Sequence, residues 1–190
     1  MKIRFAVPGD SAALLKIYAQ YMDTPVTFEY DLPSVEDFSK RIKEISDTYP
    51  FLLCEDEGEI IGFAYAHRHK EREAYQWNAE LSVYLDKSHT SKGLGRKLYG
   101  VLIEILKLQG VRTVYGVVAI PNERSEKLHM SMGFKKAGIY HKTGYKCGQW
   151  HDVALFEKEI GACCSEPSPV VPLNKVAKEK LEKLEEYINA

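Results

Sequence analysis

The chain has no hydrophobic run long enough to cross a bilayer; nothing in it approaches the roughly 18 consecutive apolar residues a spanning helix needs. Its N-terminus runs straight into Ile3-Arg4-Phe5-Ala6-Val7, without the apolar core of a signal peptide, so a cytoplasmic location is expected. Cysteine is scarce. Cys54, Cys147, Cys163 and Cys164 show no Cys-x-x-Cys spacing, which argues against a zinc site or a redox motif. The adjacent Cys163 and Cys164 read as free thiols of a reducing compartment, and no metal is expected. An excess of charge of either sign is also missing. With 26 basic against 27 acidic residues, the chain has no general pull towards nucleic acid or an anionic membrane. No internal repeat is visible. A composition 45% apolar and 28% charged is that of a soluble globular protein, and 190 residues suit one domain with a short appendage.

The informative stretch runs from Glu80 to Gly110. Glu80-Leu81-Ser82-Val83-Tyr84-Leu85 is rich in β-branched and aromatic residues and reads as a strand. A polar loop follows and ends in Gly93-Leu94-Gly95. From Arg96 to Gln109, Leu98, Val101, Leu102, Ile105 and Leu106 recur at a helical period, and Gly110 is suited to a left-handed stop. A helix start carries N–H groups without intrahelical partners and the positive end of the macrodipole. With Lys92 and Arg96 beside it, this strand, glycine loop and helix form an anion site, read here as a pyrophosphate cradle. A Walker loop is excluded by spacing, and Leu98 occupies the third glycine position of a dinucleotide fingerprint. An ordinary tight strand-to-helix turn is the alternative.

Around this stretch the pattern predicts strands at 3–7, 51–56, 59–66, 113–120, 134–141 and 150–160. The Glu57-Gly58 pair reads as a hairpin turn. Gly62, inside a strand, predicts a bulge or a close backbone approach. Helices are expected from Asp10 or Ser11 to Tyr21, from Ser34 (with Asp37 approximating a capping box) to Ser46, and from Asn122 or Ser125 to Gly133. Residues 24–30 read as an aromatic loop. Residues 161–172, with Pro167, Pro169 and Pro172, read as a linker, and 173–190 as an amphipathic helix that docks on the domain, docks on a partner, or frays.

Three blocks in order carry a resemblance. The loop Gly93-Leu94-Gly95, between a strand and a long helix, resembles the pyrophosphate loop of the Gcn5-related N-acetyltransferases (GNAT). The run Pro121-Asn122-Glu123-Arg124-Ser125 through Leu128-His129-Met130-Ser131-Met132-Gly133-Phe134 resembles their second conserved block. Ala74-Tyr75-Gln76-Trp77-Asn78-Ala79-Glu80 and Gly144-Tyr145-Lys146-Cys147-Gly148-Gln149-Trp150-His151-Asp152-Val153 narrow it to the phosphinothricin and methionine sulfoximine acetyltransferase family, over about residues 2–160. Thr90 departs from the pattern. It stands where that superfamily usually has Gln or Arg, which leaves the backbone amides as donors.

The resemblance implies an α/β (α+β) GNAT fold: a mixed, mostly antiparallel sheet of six to seven strands, splayed at its centre and flanked by about four helices. It implies acetyl-coenzyme A as co-substrate, held by Val83, Tyr84, Leu85, Ser91, Lys92, Gly93, Leu94, Gly95, Arg96, Asn122 and Ser131. The backbone of Val83 to Leu85 would pair with the cofactor's amide arm, and one N–H there would polarise the thioester carbonyl. Acetyl transfer also needs a base for the acceptor amine, and Glu80, beside Ala79 and Leu81, is its candidate. His129 is read either as a general acid or as a histidine holding a backbone carbonyl, and Asn122 as a pantetheine contact, a helix N-cap or both.

Phe28, Glu29, Arg72, Tyr75 and Trp77 are expected to line the acceptor pocket. Arg72 would hold a carboxylate or phosphinate, or belong to the surface charge cluster Lys70-Glu71-Arg72-Glu73. Lys146, Trp150 and Asp152 are read as structural or dimer-facing first. The expected reaction is transfer of acetyl to the α-amine of a small amino acid or analogue, with a homodimer as the working form. The competing readings are a GNAT enzyme acting on a peptide N-terminus, polyamine or other amine, and a non-catalytic acyl-coenzyme A module.

Overall fold

The computed structural model describes residues 1–182. Among them are seven strands in one sheet and four α-helices. The elements are β1 (Lys2–Phe5), α1 (Ser11–Ala19), α2 (Val35–Thr48), β2 (Phe51–Asp56), β3 (Glu59–Arg68), β4 (Asn78–Leu85), α3 (Leu94–Gln109), β5 (Thr113–Ile120), α4 (Glu123–Ser131), β6 (Lys135–Lys146) and β7 (Gln149–Glu159). The sheet order is β1-β2-β3-β4-β5-β7-β6. Every neighbouring pair is antiparallel except β4 and β5.

Both sheet faces are covered, which explains why β2 is buried over Phe51 to Cys54 rather than alternating. On one face α3 lays Leu98, Leu102, Ile105 and Leu106 against Leu52, Ala64, Leu81 and Val114. On the other, α1 and α2 lay Leu14, Leu15, Phe38 and Ile42 against Phe51, Leu53 and Phe63. Ser34 caps α2 as its sequence predicts, its Oγ accepting the Asp37 N–H at 3.0 Å. Gly110 closes α3 at φ +86°. At Gly62 both expectations hold: the β2–β3 register shifts between Cys54 and Glu55, and a Cβ on Gly62 would come within 2.6 Å of a Leu85 methyl.

The parallel pair is short. β4 and β5 pair only at Asn78–Thr113, Ala79–Val114 and Glu80–Tyr115, while β3 follows β4 as far as Leu85 and β7 follows β5 to Ile120. Beyond Glu80 the two strands part, so the centre of the sheet is splayed.

The last hairpin differs from expectation. Instead of a loop over 144–148, β6 continues to Lys146 and turns into β7 through Cys147 and Gly148, both at positive φ (52° and 77°). The continuation past His141 was illegible because β6 is exposed over nearly its whole length, leaving no apolar alternation to read. Lys146, at 5% exposure, reaches back to the aromatic loop and donates to the carbonyls of Thr27 (2.8 Å) and Glu29 (2.7 Å).

Residues 161–172 lie along the domain rather than trailing free. The Trp77 indole donates to the Ser168 carbonyl at 2.8 Å, the Val170 N–H to the Gln76 side chain, and Val171 exchanges two hydrogen bonds with Gln109. Leu173 is buried against the α3 face. Of the charged helix expected beyond, residues 178–182 are helical and 183–190 lie outside the described residues.

Lys146→Met removes the charged donor from two carbonyls while keeping the buried stem. The expected loss is about 2 kcal/mol, read as a lower urea midpoint with an unchanged m-value.

Candidate active site

The β4–β5 gap opens a cleft through the sheet. Its walls are Ser82 to Tyr84 on β4 and Val117 to Ala119 on β5, with Tyr99, Asn122, Ser125 and His129 beneath. The Tyr99 hydroxyl donates to the carbonyl of Leu81, the first residue past the last β4–β5 pair. Val83, Tyr84 and Leu85 have no β5 partner, so one edge of their backbone faces the cleft, as the resemblance implied. Burial pushes the Tyr84 and Tyr65 hydroxyls up from their usual range, which keeps both protonated.

At the end of β4 the chain turns into α3 through the glycine loop. Asp86 organises the turn: its carboxylate takes the Ser88 hydroxyl and N–H and the Gln20 amide, which hold it well below the usual carboxylate range. Ser91 and Gly93 are left-handed at φ +63° and +81°, and α3 begins at Leu94. Gly95 matters for approach, since a Cβ there would stand 3.4 Å from a Leu128 methyl of α4. Lys92 lies exposed in the loop, and the Arg96 guanidinium donates to the Ser131 carbonyl, joining the α3 start to α4. Amides of the first α3 turn, unpaired within the helix, suit a phosphate group here.

Asn122 caps α4, its side-chain oxygen accepting the Ser125 N–H at 3.2 Å. His129 is 2% exposed, stacked on Phe156 and edge-on to Tyr99 and Phe134. Its Nδ1 lies 2.8 Å from the Ser125 carbonyl, so the neutral ring must carry its proton there. Nε2 has no partner and lies under Gly116, where a Cβ would come within 2.0 Å of it. Burial pushes this imidazole below the ordinary histidine range, against a smaller upward push from the carbonyl. Of the two readings of His129, this contact is that of the histidine that holds a backbone carbonyl, its one proton being given to Ser125.

Glu80 is the last paired residue before the gap. Its side chain, 22% exposed, lies on the α1/α2 face, opposite His129. The register puts Tyr65 and His67 of β3, Ser82 of β4 and Tyr115 and Val117 of β5 on that same face. His69 Nδ1 comes to 3.4 Å and His67 Nε2 to 3.8 Å from the carboxylate oxygens. Over this face sits the aromatic loop. The Phe28 ring lies on Gly144, with a Cβ there only 2.2 Å from it, and Glu29 pairs with Arg41 at 2.7 Å while its other oxygen is buried without a partner.

A family model of the acetyltransferase (GNAT) domain matches residues 3–155. The chain belongs to the GNAT acetyltransferase family. It is 34% identical over 177 residues to a phosphinothricin N-acetyltransferase of Streptomyces viridochromogenes, covering 93% of this chain and 96% of that one. An L-methionine sulfoximine/L-methionine sulfone acetyltransferase of Salmonella typhimurium is 29% identical over 162 residues, covering 84% and 95%. Among solved structures, a GNAT superfamily phosphinothricin acetyltransferase from Sinorhizobium meliloti, in complex with AcCoA, matches with a TM-score of 0.84 at 30% identity, over 88% of this chain and 92% of that one. A match over 93% of the chain must take in residues 161–172, so the similarity to that relative extends past residue 160.

In this GNAT chain, Glu80, Phe28 and Glu29 lie on the α1/α2 face, and the glycine loop, Asn122 and Ser131 gather around the starts of α3 and α4. Arg72 and Tyr75 stand on the exposed turn ahead of β4; Lys70 lies over the Tyr75 ring at 4.8 Å, and Arg72 has no ion pair among the described residues. Trp77 lies apart from these: its indole donates to the Ser168 carbonyl and lines a cavity of about 480 Å³ with Lys107, Arg112 and Cys163, at the far end of β4 from the glycine loop. Sequence reasoning missed His67 and His69 beside Glu80, because β3 was ended at residue 66. The alternation Phe63, Tyr65, His67 was the available signal.

Two outcomes follow. Gly116→Ala drives a methyl into the His129 ring, and overpacking of this kind costs about 1–3 kcal/mol, read by chemical denaturation. His129, with its folded pKa depressed, contributes stability in full above about pH 6.5. Below that the unfolded chain binds a proton the native ring refuses, so stability falls as pH drops. Replacing it in His129→Gln should flatten that acid-side slope of stability against pH.

Proposed function

We propose that this GNAT enzyme moves acetyl from acetyl-coenzyme A to the α-amine of a small amino acid or analogue, of the phosphinothricin, methionine sulfoximine or methionine sulfone type. The observation that carries the reading is the position of Glu80: a half-withdrawn carboxylate at the point where the only parallel strand pair among the described residues opens. The two faces of the gap differ in chemistry. One leads to the glycine loop and helix starts that suit a pyrophosphate, the other to a carboxylate, two imidazoles and an aromatic loop that suit an amine-bearing acceptor. The names of the relatives support the acceptor class.

The residues fit the co-substrate. Unpaired amides at the start of α3 offer donors to phosphate oxygens, and the β5-side edge of Val83 to Leu85, apart from the Leu85 carbonyl held by the Tyr21 hydroxyl, offers donors and acceptors to an amide-bearing chain. Acetyl-coenzyme A, when bound, supplies the acetyl group as a thioester. A backbone N–H on that edge polarises a carbonyl oxygen at the gap, while Glu80 removes the proton that keeps an amine unreactive at neutral pH. Arg72, with no ion pair among the described residues, is the partner for the acceptor's acid group. His129 stays neutral and structural.

The exposed Ile139, Tyr140, Tyr145 and Trp150 on the β6–β7 arm favour a homodimer joined through that arm, and the four free cysteines favour a reducing compartment, the cytoplasm. Thiol release with methionine sulfoximine, phosphinothricin and ordinary amino acids tests the reaction. Turnover with the first two is expected, and silence across the panel would overturn the acceptor class. Glu80→Gln should lower kcat at least about tenfold with acetyl-coenzyme A affinity kept, whereas Arg72→Ala should raise the acceptor KM alone.

A further inference from the structure

A base that removes one proton per turnover must lose it again before the next. Glu80 is 22% exposed, and two imidazoles stand against its carboxylate. His69, 11% exposed, has Nδ1 at 3.4 Å from Oε2; His67, 37% exposed, has Nε2 at 3.8 Å from Oε1. The His69 ring is held flat on Tyr115, with centroids 4.2 Å apart and planes 12° from parallel, so its edge stays turned to the carboxylate. Tyr115 is paired with Glu80 across the last rung of the parallel ladder, and one rung therefore fixes both the base and the surface on which the imidazole rests. His67 by contrast gives Nδ1 to the Arg68 carbonyl at 3.0 Å and lies beyond hydrogen-bond distance of Glu80.

We propose that His69 acts through Glu80: with its own proton on Nε2, it accepts the abstracted proton from Glu80 at Nδ1 and passes one onward to water. The inference rests on Glu80 being the base. In the step, an N–H bond of the acceptor ammonium breaks as an O–H bond forms on Glu80. That bond breaks in turn as an N–H bond forms on His69 Nδ1, and the ring releases its Nε2 proton to water. Glu80 returns to carboxylate, and His69 regains its starting tautomer by exchange with solvent. One proton enters, one leaves, and no electrons change hands. Histidine suits the task because it gains and loses a proton close to neutral pH.

His69 faces Glu80 on β4 and Tyr115 on β5, the latter in the field of Glu157 on β7 and Arg112 ahead of β5; His67, tilted against Tyr65 on β3, approaches the same carboxylate. Glu80 must be a carboxylate and His69 neutral for the relay to run, so the low-pH limb of the rate depends on both groups.

The test measures kcat and kcat/KM over pH for the full chain with acetyl-coenzyme A and methionine sulfoximine, or another amino acid if it turns over faster. His69→Phe keeps the stacking on Tyr115, and His69→Asn keeps a donor near the Nδ1 position; neither can relay. Two variants leave the test intact if one misfolds. Both are expected to lower kcat roughly tenfold, to leave the acetyl-coenzyme A KM unchanged, and to make the low-pH limb shallower. Combined with Glu80→Gln, either should cost nothing beyond Glu80→Gln alone. Wild-type rates and pH profile in both variants, with Glu80→Gln impaired, would overturn the relay and leave the base standing. Losses that multiply in the double variants would overturn it too. A wild-type rate in Glu80→Gln would overturn the base reading itself, and the relay with it.

Discussion

The structure depends on one short ladder. Three residues of β4 pair with three of β5, and there the only parallel contact in the described sheet stops. Strands on either side do not follow the break: β3 holds β4 to its end, and β7 holds β5 to its end. Each strand is thus anchored along its outer edge and free along its inner one. A gap between strands would ordinarily leave buried N–H and C=O groups unpaired at a cost of roughly 1–3 kcal/mol each. Here the gap is lined by polar groups from α3 and α4, and one carbonyl on it, that of Leu81, is taken up by the Tyr99 hydroxyl.

The gap also explains how two unlike ligands meet in one small domain. Glu80 and His129 lie on opposite faces of the sheet, and only where the strands part is there a way through. The α3/α4 side offers helix starts and left-handed loop residues, which suit a pyrophosphate. The α1/α2 side offers a carboxylate with histidines around it and an aromatic loop clamped by the buried Lys146. That clamp joins residues more than a hundred positions apart, so the shape of the acceptor side depends on the tip of the β6–β7 hairpin.

The residues past the domain take part in the same economy of contacts. Gln109, fully buried at the end of α3, binds the carbonyls of Thr48 and Val171, and so ties α2, α3 and the C-terminal segment together. Trp77 and Gln76, immediately ahead of β4, are held by Ser168 and Val170. The turn bearing Arg72 and Tyr75 is therefore braced from behind by a stretch that proline content alone made look like a tether.

Local order was legible in the sequence wherever one residue's chemistry sufficed. The helical period of α3, its left-handed Gly110, the Ser34 cap and the crowding at Gly62 each follow from steric and hydrogen-bonding rules acting within a few residues. The glycine loop was legible for the same reason, whereas Glu80 was singled out by resemblance, and the order of the blocks along the chain carried the family. What the sequence left open was decided by contacts between distant segments. Whether His129 donates a proton or holds a carbonyl depends on Ser125, Gly116 and Phe156 closing around it. Trp77 faces the C-terminal segment because a carbonyl ninety-one residues away meets its indole. His67 and His69 reach Glu80 because antiparallel pairing brings β3 back along β4. Periodicity specifies which face of an element is apolar; only the folded sheet specifies which polar groups share the other face.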